Sequence, residues 1–196
     1  MADLVAGVDT STQSCKVVVR DARTGALVRE GRAAHPDGTS APPSAWESAL
    51  REAISAAGGL DDVRAIGVGG QQHGMVLVGP QGPVSPLINW QDRRALDPIA
   101  EGARTWLEET RSLLGTDVWQ RTGCRLQPGF MAGTLYWLKA QDLVPANSRA
   151  LFIMDYFGAQ LTGQTAVTEP SCAGSSGVFN VRARQWDVAA IAALGL

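Results

Sequence analysis

One carboxylate and a run of polar side chains follow an apolar stretch near the start of the chain. Asp9 comes directly after residues 4–8, and it precedes Thr10, Ser11, Thr12, Gln13 and Ser14. A carboxylate repels phosphate unless a divalent cation stands between them, and Mg²⁺ takes one or two carboxylates together with phosphate oxygens. Hydroxyls and backbone amides in a tight loop can bind phosphate. The segment therefore predicts either a metal-dependent phosphate site or a polar turn that bonds its own backbone.

A second polar cluster, Gln71-Gln72-His73, lies between Gly70 and Gly74 after the apolar residues 63–68. Amide and imidazole groups each offer donors and acceptors, which suits the hydroxyls of a sugar. The alternative is a histidine packed into a turn. A dinucleotide fingerprint is excluded, because the glycines lack its spacing and an apolar strand follows where that motif needs a helix.

A third polar group, Asn89 to Arg94, follows another apolar stretch. Asp92 with Arg93 or Arg94 could clamp a polyol, and Trp90 could stack on a sugar face. The alternative is a surface ion pair at a helix N-terminus, which contributes little to stability.

Strands and helices must position these groups. Three strands open the chain, and a strand in place of a helix after the first one excludes a doubly wound nucleotide fold. A mixed α/β domain is predicted. A capping box of Ser44 and Glu47 predicts the start of the first helix, and Asp97-Pro98 predicts another start. The predicted strands are 4–8, 16–20, 26–33, 63–69 (buried), 75–78, 87–90 and 150–154, with a strand-loop-strand over 166–181.

Composition excludes several classes of protein. The 196 residues carry a net charge of −2 and no basic run, which argues against a nucleic-acid partner. No apolar run is long enough for a membrane span. Three distant cysteines, Cys15, Cys124 and Cys172, favour reduced thiols and a cytoplasmic location over disulfides or zinc. A P-loop motif is missing.

Taken in order, the motifs resemble the N-terminal half of the FGGY carbohydrate kinases, and within them the xylulokinase branch. The resemblance covers nearly the whole chain. The matching stretches, with the family pattern beside each where one is given, are Gly7–Lys16 (opening G-x-D-x-[GS]-T), Gly70–Gly74 (G-Q-M-H-G), Trp90–Arg94 (W-N-D-x-R), Thr122-Gly123 through Pro128–Phe130 to Trp137, and Asp155-Tyr156 with Leu161–Gly163 and Thr168–Ser171.

The resemblance implies an actin-like, ribonuclease-H-like ATPase domain with a mixed β-sheet flanked by helices. It implies ATP, Mg²⁺ and a ketopentose, D-xylulose, whose terminal hydroxyl receives the γ-phosphoryl group. Asp9 would be the catalytic residue near the metal and the phosphate. The residues implied at the cofactor are Thr10, Ser11, Thr12, Gln13, Ser14 and Lys16. Those expected to face the sugar are Gln71, Gln72, His73, Trp90, Asp92 and Arg94.

The sequence also departs from the family pattern. Gln72 stands where the branch has Met, Gln91 where it has Asn, and Glu169 where it has Asp. The family's general base is an Asp in a G-x-x-D stretch beyond the region covered. Residues 1–196 are therefore expected to be one N-terminal domain, incomplete at its C-terminal end, without the second domain and inactive alone. A kinase for another ketose or polyol, a non-catalytic sugar-binding or regulatory module, and a homodimer are left open.

Overall fold

A computed structural model of the chain describes residues 3–196. Its first elements are β1 Leu4–Thr10, β2 Ser14–Asp21, β3 Leu27–Ala34, β4 Ser40–Ala41, α1 Pro43–Ala56 and β5 Val63–Gly70. Four of these strands form a sheet in the order β3-β2-β1-β5. β1 pairs antiparallel with β2 and parallel with β5. The parallel pair requires a crossover connection, which α1 provides.

The first sheet buries one face against α1. Alternate side chains of β1 and β2 point inward, so Val8 and Val17 share a core cluster with Trp46 of the helix. Gly31 on β3 allows close packing, because a Cβ there would lie 2.2 Å from the carbonyl oxygen of Ala53. A substitution at this glycine would push the helix off the sheet.

The predicted capping box at the start of α1 is wrong. The helix begins at Pro43, its N-cap is Pro42, and no side chain caps it. Proline suits the first helical position, because its missing N–H would have no partner there. Glu47 instead accepts a hydrogen bond from the Tyr156 hydroxyl.

The prediction of a buried strand over 63–69 is wrong in its burial. The strand exists as β5, but residues 64–67 are exposed. Within residues 3–196, β5 is the outer strand of its sheet, since only β1 pairs with it.

A second sheet lies behind the first core. Its strands include β6 Met75–Gly79, β7 Gly82–Pro83, β8 Leu87–Ile88 and β9 Arg149–Phe152, and β6 pairs antiparallel with each of the others. β4 pairs with β8 at the edge. The two faces of β6 enter different cores: Val76 packs with Trp46, whereas Met75 and Leu77 pack with Phe152.

Helices form the remaining part of the chain. They are the 3₁₀ turn Arg94–Leu96, α2 Trp106–Leu114, α3 Val118–Thr122, α4 Met131–Ala140, α5 Ile153–Thr162, α6 Pro170–Gly174 and α7 Val188–Ala193, with a short hairpin of β10 Phe179–Asn180 and β11 Gln185–Trp186. A third core joins α2, α4 and α7 through Leu107, Ala132 and Leu194. No helix within residues 3–196 combines the length and apolarity that a membrane crossing needs.

Two further predictions of local structure are wrong. Pro98 does not open a helix; it forms an isolated bridge with Thr105, which caps α2 in a capping box with Glu108. The segment 166–181 is not strand-loop-strand, because α6 occupies its middle and Glu169 caps that helix through the Cys172 N–H.

Candidate functional site

The loop from β1 to β2 presents a carboxylate and two hydroxyls to solvent. Asp9 is exposed at the end of β1, and the Ser11 hydroxyl donates to its Oδ2 at 2.6 Å. The Thr12 hydroxyl accepts from Trp90 Nε1 at 2.8 Å. The loop is therefore tied to itself at Asp9 and tied to the rest of the domain at Trp90.

The hydroxyls at the two ends of this loop, unlike those of Ser11 and Thr12, are buried. Thr10 is completely buried, and its Oγ1 finds no partner among the described residues. Ser14 is buried as well, and its Oγ accepts from Arg32 Nε at 3.0 Å. Of the predicted phosphate ligands, Ser11, Thr12 and the exposed Gln13 keep side chains available, whereas Thr10 and Ser14 belong to the structure beneath.

Lys16 on β2 lies directly opposite Asp9 on β1, because the two residues are partners in the sheet register. Its Nζ forms an ion pair with Glu30 at 2.9 Å, and both side chains are about half exposed. Asp9 and Lys16 are therefore neighbours on the exposed side of the sheet, with the ammonium group of Lys16 bound to Glu30.

A histidine supports the loop from below. His35 is buried, packs against Trp46 with ring centroids 3.8 Å apart and the ring planes tilted by 37°, and donates from Nδ1 to the Ser11 carbonyl at 2.9 Å. Its backbone N–H donates to the Gln13 carbonyl at 2.9 Å. Burial lowers the pKa of His35, although the bond to Ser11 opposes this shift. His35 therefore positions the loop through two hydrogen bonds to its backbone.

The cluster Gln71–His73 meets the loop at the end of β5. The Gln71 N–H donates to the Thr10 carbonyl at 3.0 Å. A Cβ at Gly70 would lie 2.6 Å from the same oxygen, so only glycine allows this approach. The close pairing of β1 and β5 brings the two predicted polar clusters to the same edge of the sheet.

His73 has a fixed orientation. Its backbone adopts φ 67°, its ring stacks on Phe130 at 3.5 Å, and Nδ1 lies 3.1 Å from the Ser175 carbonyl. A carbonyl only accepts, so Nδ1 carries the proton and Nε2 of the neutral ring is an acceptor. Burial lowers the pKa of His73, while the Ser175 bond opposes the shift.

Gln71 carries an unused amide. The side chain is buried, and neither its Nε2 nor its Oε1 has a hydrogen-bond partner among residues 3–196. A buried polar group without a partner costs about 1–3 kcal/mol. Most buried polar groups in native proteins are paired, so an unpaired amide beside a cleft favours a ligand at that place.

These residues line a cleft of about 330 Å³, which we call the Asp9–His73 cleft. Asp9 is the only carboxylate in its wall. The lining is Asp9, Ser11, Thr12, Gly70, Gln71, Gln72, His73 and Trp90. A second cleft of about 350 Å³, the Lys16 cleft, lies on the other side of Asp9 and is lined also by Gly67 and Gly69. Asp9 therefore stands where two clefts meet.

Asp92 and Arg94 do not reach the wall of this cleft. Arg94 donates to both carboxylate oxygens of the buried Asp92, at 2.7 and 3.0 Å, and Thr39 donates to one of them at 3.2 Å. Burial alone would raise the pKa of Asp92, but the bonds from Arg94 outweigh it and hold that pKa below its usual range. The arginine also lies over the Trp137 ring at 5.1 Å. The pair fixes the segment that carries Trp90.

Sequence reasoning missed three groups that shape the site. His35 supports the loop, Phe130 stacks under His73, and Gly129 lets its segment approach Trp90, since a Cβ there would lie 1.8 Å from the Trp90 carbonyl oxygen. Each acts through a contact between distant parts of the chain. The Pro128-Gly129-Phe130 stretch matches the family pattern, but nothing in its sequence indicates contacts with Trp90 and His73.

Comparison with known proteins decides the family. The profile of the FGGY family of carbohydrate kinases, N-terminal domain, matches residues 4–196. The chain belongs to the FGGY family. This confirms the resemblance found in the sequence.

Several FGGY relatives similar to this chain are named as xylulose kinases. A xylulose kinase of Streptomyces coelicolor is 37% identical over 183 residues, which are 88% of this chain and 36% of that protein. A xylulose kinase sequence of an Arthrobacter species is 62% identical over 93 residues, which are 47% of this chain and 97% of that sequence. The chain spans about a third of the length of the Streptomyces relative.

FGGY kinases of known structure share the fold. The xylulose kinase of Bifidobacterium adolescentis superimposes with a TM-score of 0.82 at 30% identity, covering 98% of this chain and 43% of that one. A ligand-bound xylulose kinase from Lactobacillus acidophilus, with a TM-score of 0.81 at 20% identity, shows the same fold. The predicted actin-like α/β domain is thereby confirmed.

Proposed function

We propose that the chain is the N-terminal, sugar-binding domain of an ATP-dependent carbohydrate kinase, and that the full-length enzyme converts D-xylulose and ATP to D-xylulose 5-phosphate and ADP. Membership of the FGGY family and the xylulose kinase relatives support the reaction class and the sugar. The observation that carries the proposal is the position of Asp9 between two clefts, one with sugar-binding groups and one with a lysine.

The Asp9–His73 cleft is proposed to bind the sugar. The unpaired amide of Gln71 offers a donor and an acceptor to vicinal hydroxyls, and His73 Nε2 offers an acceptor. Gln72 is exposed at the rim, and Trp90 presents a ring that is 39% exposed. Asp92 and Arg94 are proposed to act on the sugar only through the segment they fix.

The Asp9 loop is proposed to receive the phosphates. Ser11, Thr12 and Gln13 supply hydroxyl, amide and backbone donors, and Lys16 supplies positive charge on the far side of Asp9. Thr10 and Ser14 hold the loop from inside. Placed this way, the chain binds the acceptor and the donor on the two sides of one carboxylate.

Mg²⁺ fits this donor set if Asp9 and the phosphates share the ion as its ligands. No three His, Cys, Asp or Glu side chains in the described part of the chain group closely enough to hold a metal alone. Mg²⁺ bound through one carboxylate, phosphate oxygens and water needs no such group. Asp9 would hold it, and the ion would neutralise charge on the phosphates.

A general base for the sugar hydroxyl is proposed to come from the part of the full-length enzyme outside these residues. Among the described residues, Asp9 is the only carboxylate in the wall of the cleft, and Asp92, which lies outside that wall, is bonded to Arg94. Phosphoryl transfer depends on positioning and charge neutralisation around an in-line attack. The 196 residues supply only part of that arrangement, so we expect them to bind sugar without measurable turnover.

Calorimetric titration of the chain with D-xylulose, D-ribulose and glycerol tests the proposal. D-Xylulose should bind tightest, and a coupled assay should detect no ADP release. Replacing Gln71 by Leu should weaken xylulose binding by about tenfold or more without loss of stability, because it removes an amide that no protein group satisfies. Gln164→Leu, at an exposed position far from the cleft, is the matched control.

The outcomes separate the alternatives. Tighter binding of ribulose or glycerol would assign the family member another substrate. If the full-length protein binds xylulose with the same affinity as residues 1–196 and shows no turnover, a non-catalytic sugar-binding or regulatory module is favoured. Equal effects of Gln71→Leu and Gln164→Leu would remove the cleft from the proposal.

A further inference from the structure

A third cleft, of about 480 Å³, lies on the helical side of the domain, between α2, α3 and the loop 124–127. We call it the Trp119 cleft. Its floor is apolar and consists of Leu114, Val118 and Leu126, all of which are buried. A volume of this size and an apolar floor are typical of sites for small molecules. It shares no lining residue with the Asp9–His73 cleft.

The charges around this cleft are unbalanced. Of the four arginines between residues 104 and 125, two are ion-paired: Arg104 with Glu109, and Arg121 with Asp117 and Asp187. The other two, Arg111 and Arg125, form no ion pair within residues 3–196, and both line the cleft. No carboxylate is part of the lining. The unpaired positive charge is thus collected at one cavity.

Each of these arginines is oriented by a contact at the cleft. Arg111 Nε donates to the Leu126 carbonyl at 3.0 Å, which holds its guanidinium at the rim. Arg125 lies over the Trp119 ring at 4.5 Å from its centroid and makes no side-chain hydrogen bond within the described chain. The Trp119 ring is 40% exposed. A guanidinium held on an aromatic face keeps its donors free for an anion.

We propose that the Trp119 cleft is a second binding site, for a small organic anion with an apolar body. The apolar part would occupy the floor, and the carboxylate or phosphate would meet Arg125 and the free edge of Arg111. A cation is disfavoured because two arginines and no carboxylate of the described residues line the cleft. A fully hydrophilic anion is disfavoured because it would leave the apolar floor unfilled. The proposal is independent of the sugar-kinase activity.

Phenyl phosphate is a suitable probe, with inorganic phosphate and phenol as its two halves. We expect saturable quenching of Trp119 emission with a Kd of about 1 mM or tighter, which suits a ligand of this size. Arg125→Gln should weaken binding by about tenfold, the typical effect of one charge-assisted contact. Arg182→Gln removes the same charge from the exposed β10–β11 turn and should leave affinity unchanged.

The Lys16 cleft could also take a phosphate, so the position of binding needs its own control. Trp119→Phe should abolish the quenching signal while calorimetry still detects binding. Thermal unfolding of Arg125→Gln should match that of the unsubstituted chain, because the side chain is exposed. Equal weakening by Arg125→Gln and Arg182→Gln would overturn the proposal. So would phosphate or phenol binding as tightly as phenyl phosphate, or no saturable binding at all.

Discussion

The two histidines form the same hydrogen bond, from Nδ1 to a backbone carbonyl, in two different surroundings. His35 and His73 each direct Nδ1 to a backbone carbonyl, each pack against an aromatic ring, and each have a pKa lowered by burial. They differ at Nε2. That atom is buried without a partner in His35, whereas His73 lines a cleft. His73 is therefore the histidine proposed to bind the sugar, because the Nε2 edge of its ring is the one that faces a cleft.

The largest effect we expect is on stability at the first histidine. His35→Ala should lower the free energy of unfolding by about 2–4 kcal/mol, because it leaves a cavity beside Trp46 and an unpaired Ser11 carbonyl. His73→Ala should cost clearly less, since that ring is only partly buried. Urea denaturation of both variants measures the difference. Equal losses would mean that the two histidines are both structural.

A smaller effect, on binding, should reverse this order. Asparagine keeps a donor near the position of Nδ1, tolerates the φ of 67° at residue 73, and has nothing at the position of Nε2. His73→Asn should therefore weaken D-xylulose binding by about tenfold, or roughly 1.4 kcal/mol. His35→Asn should leave sugar affinity within about twofold of the unsubstituted chain. Calorimetry on both variants decides, and a larger loss for His35→Asn would invert the assignment.

The smallest effect concerns pH. Burial depresses the pKa of both histidines below the ordinary value of 6.5. A base with a depressed pKa in the folded state stabilises the fold above 6.5, and this stability is lost as the pH falls through the folded pKa. The contribution of the two histidines to the free energy of unfolding should therefore fall on acidification below 6.5, whereas Asp155, whose pKa burial raises to about 6, contributes in the opposite direction. His35→Asn should flatten this slope, and an unchanged slope would show that other groups cause it.

Local patterns in the sequence identified the parts of the site that lie on strands. The apolar residues before Asp9 and before Gln71–His73 predicted that each polar cluster follows a strand, whereas the pairing of β1 with β5, which brings the two clusters together, is seen only in the structure. The alternation in β1 also indicates that Thr10 is buried. Thr10 lies an even number of residues from Leu4, Ala6 and Val8, so its side chain points inward as theirs do.

Other features depended on contacts that no local pattern encodes. Thr105 and Glu108 form a capping box that is typical of a helix N-terminus, but Asp97-Pro98 has the residue types of a helix start as well, and only tertiary contacts decide between them. Whether the Asp92 carboxylate faced a ligand or an arginine depended on the rotamer of Arg94. The Trp119 cleft joins residues 111–127 to Gly177, so it becomes visible only once α6 and its neighbours are packed.

The open edge of β5 has a practical consequence for every measurement suggested above. Its backbone groups on that side are unpaired within the described chain, and Ile66 is 39% exposed beside them. Unpaired strand edges are templates for pairing between molecules. Concentrated solutions of the chain should therefore self-associate through residues 63–70, slowly and without change in helix content. Binding experiments are best performed dilute, with light scattering as a companion measurement.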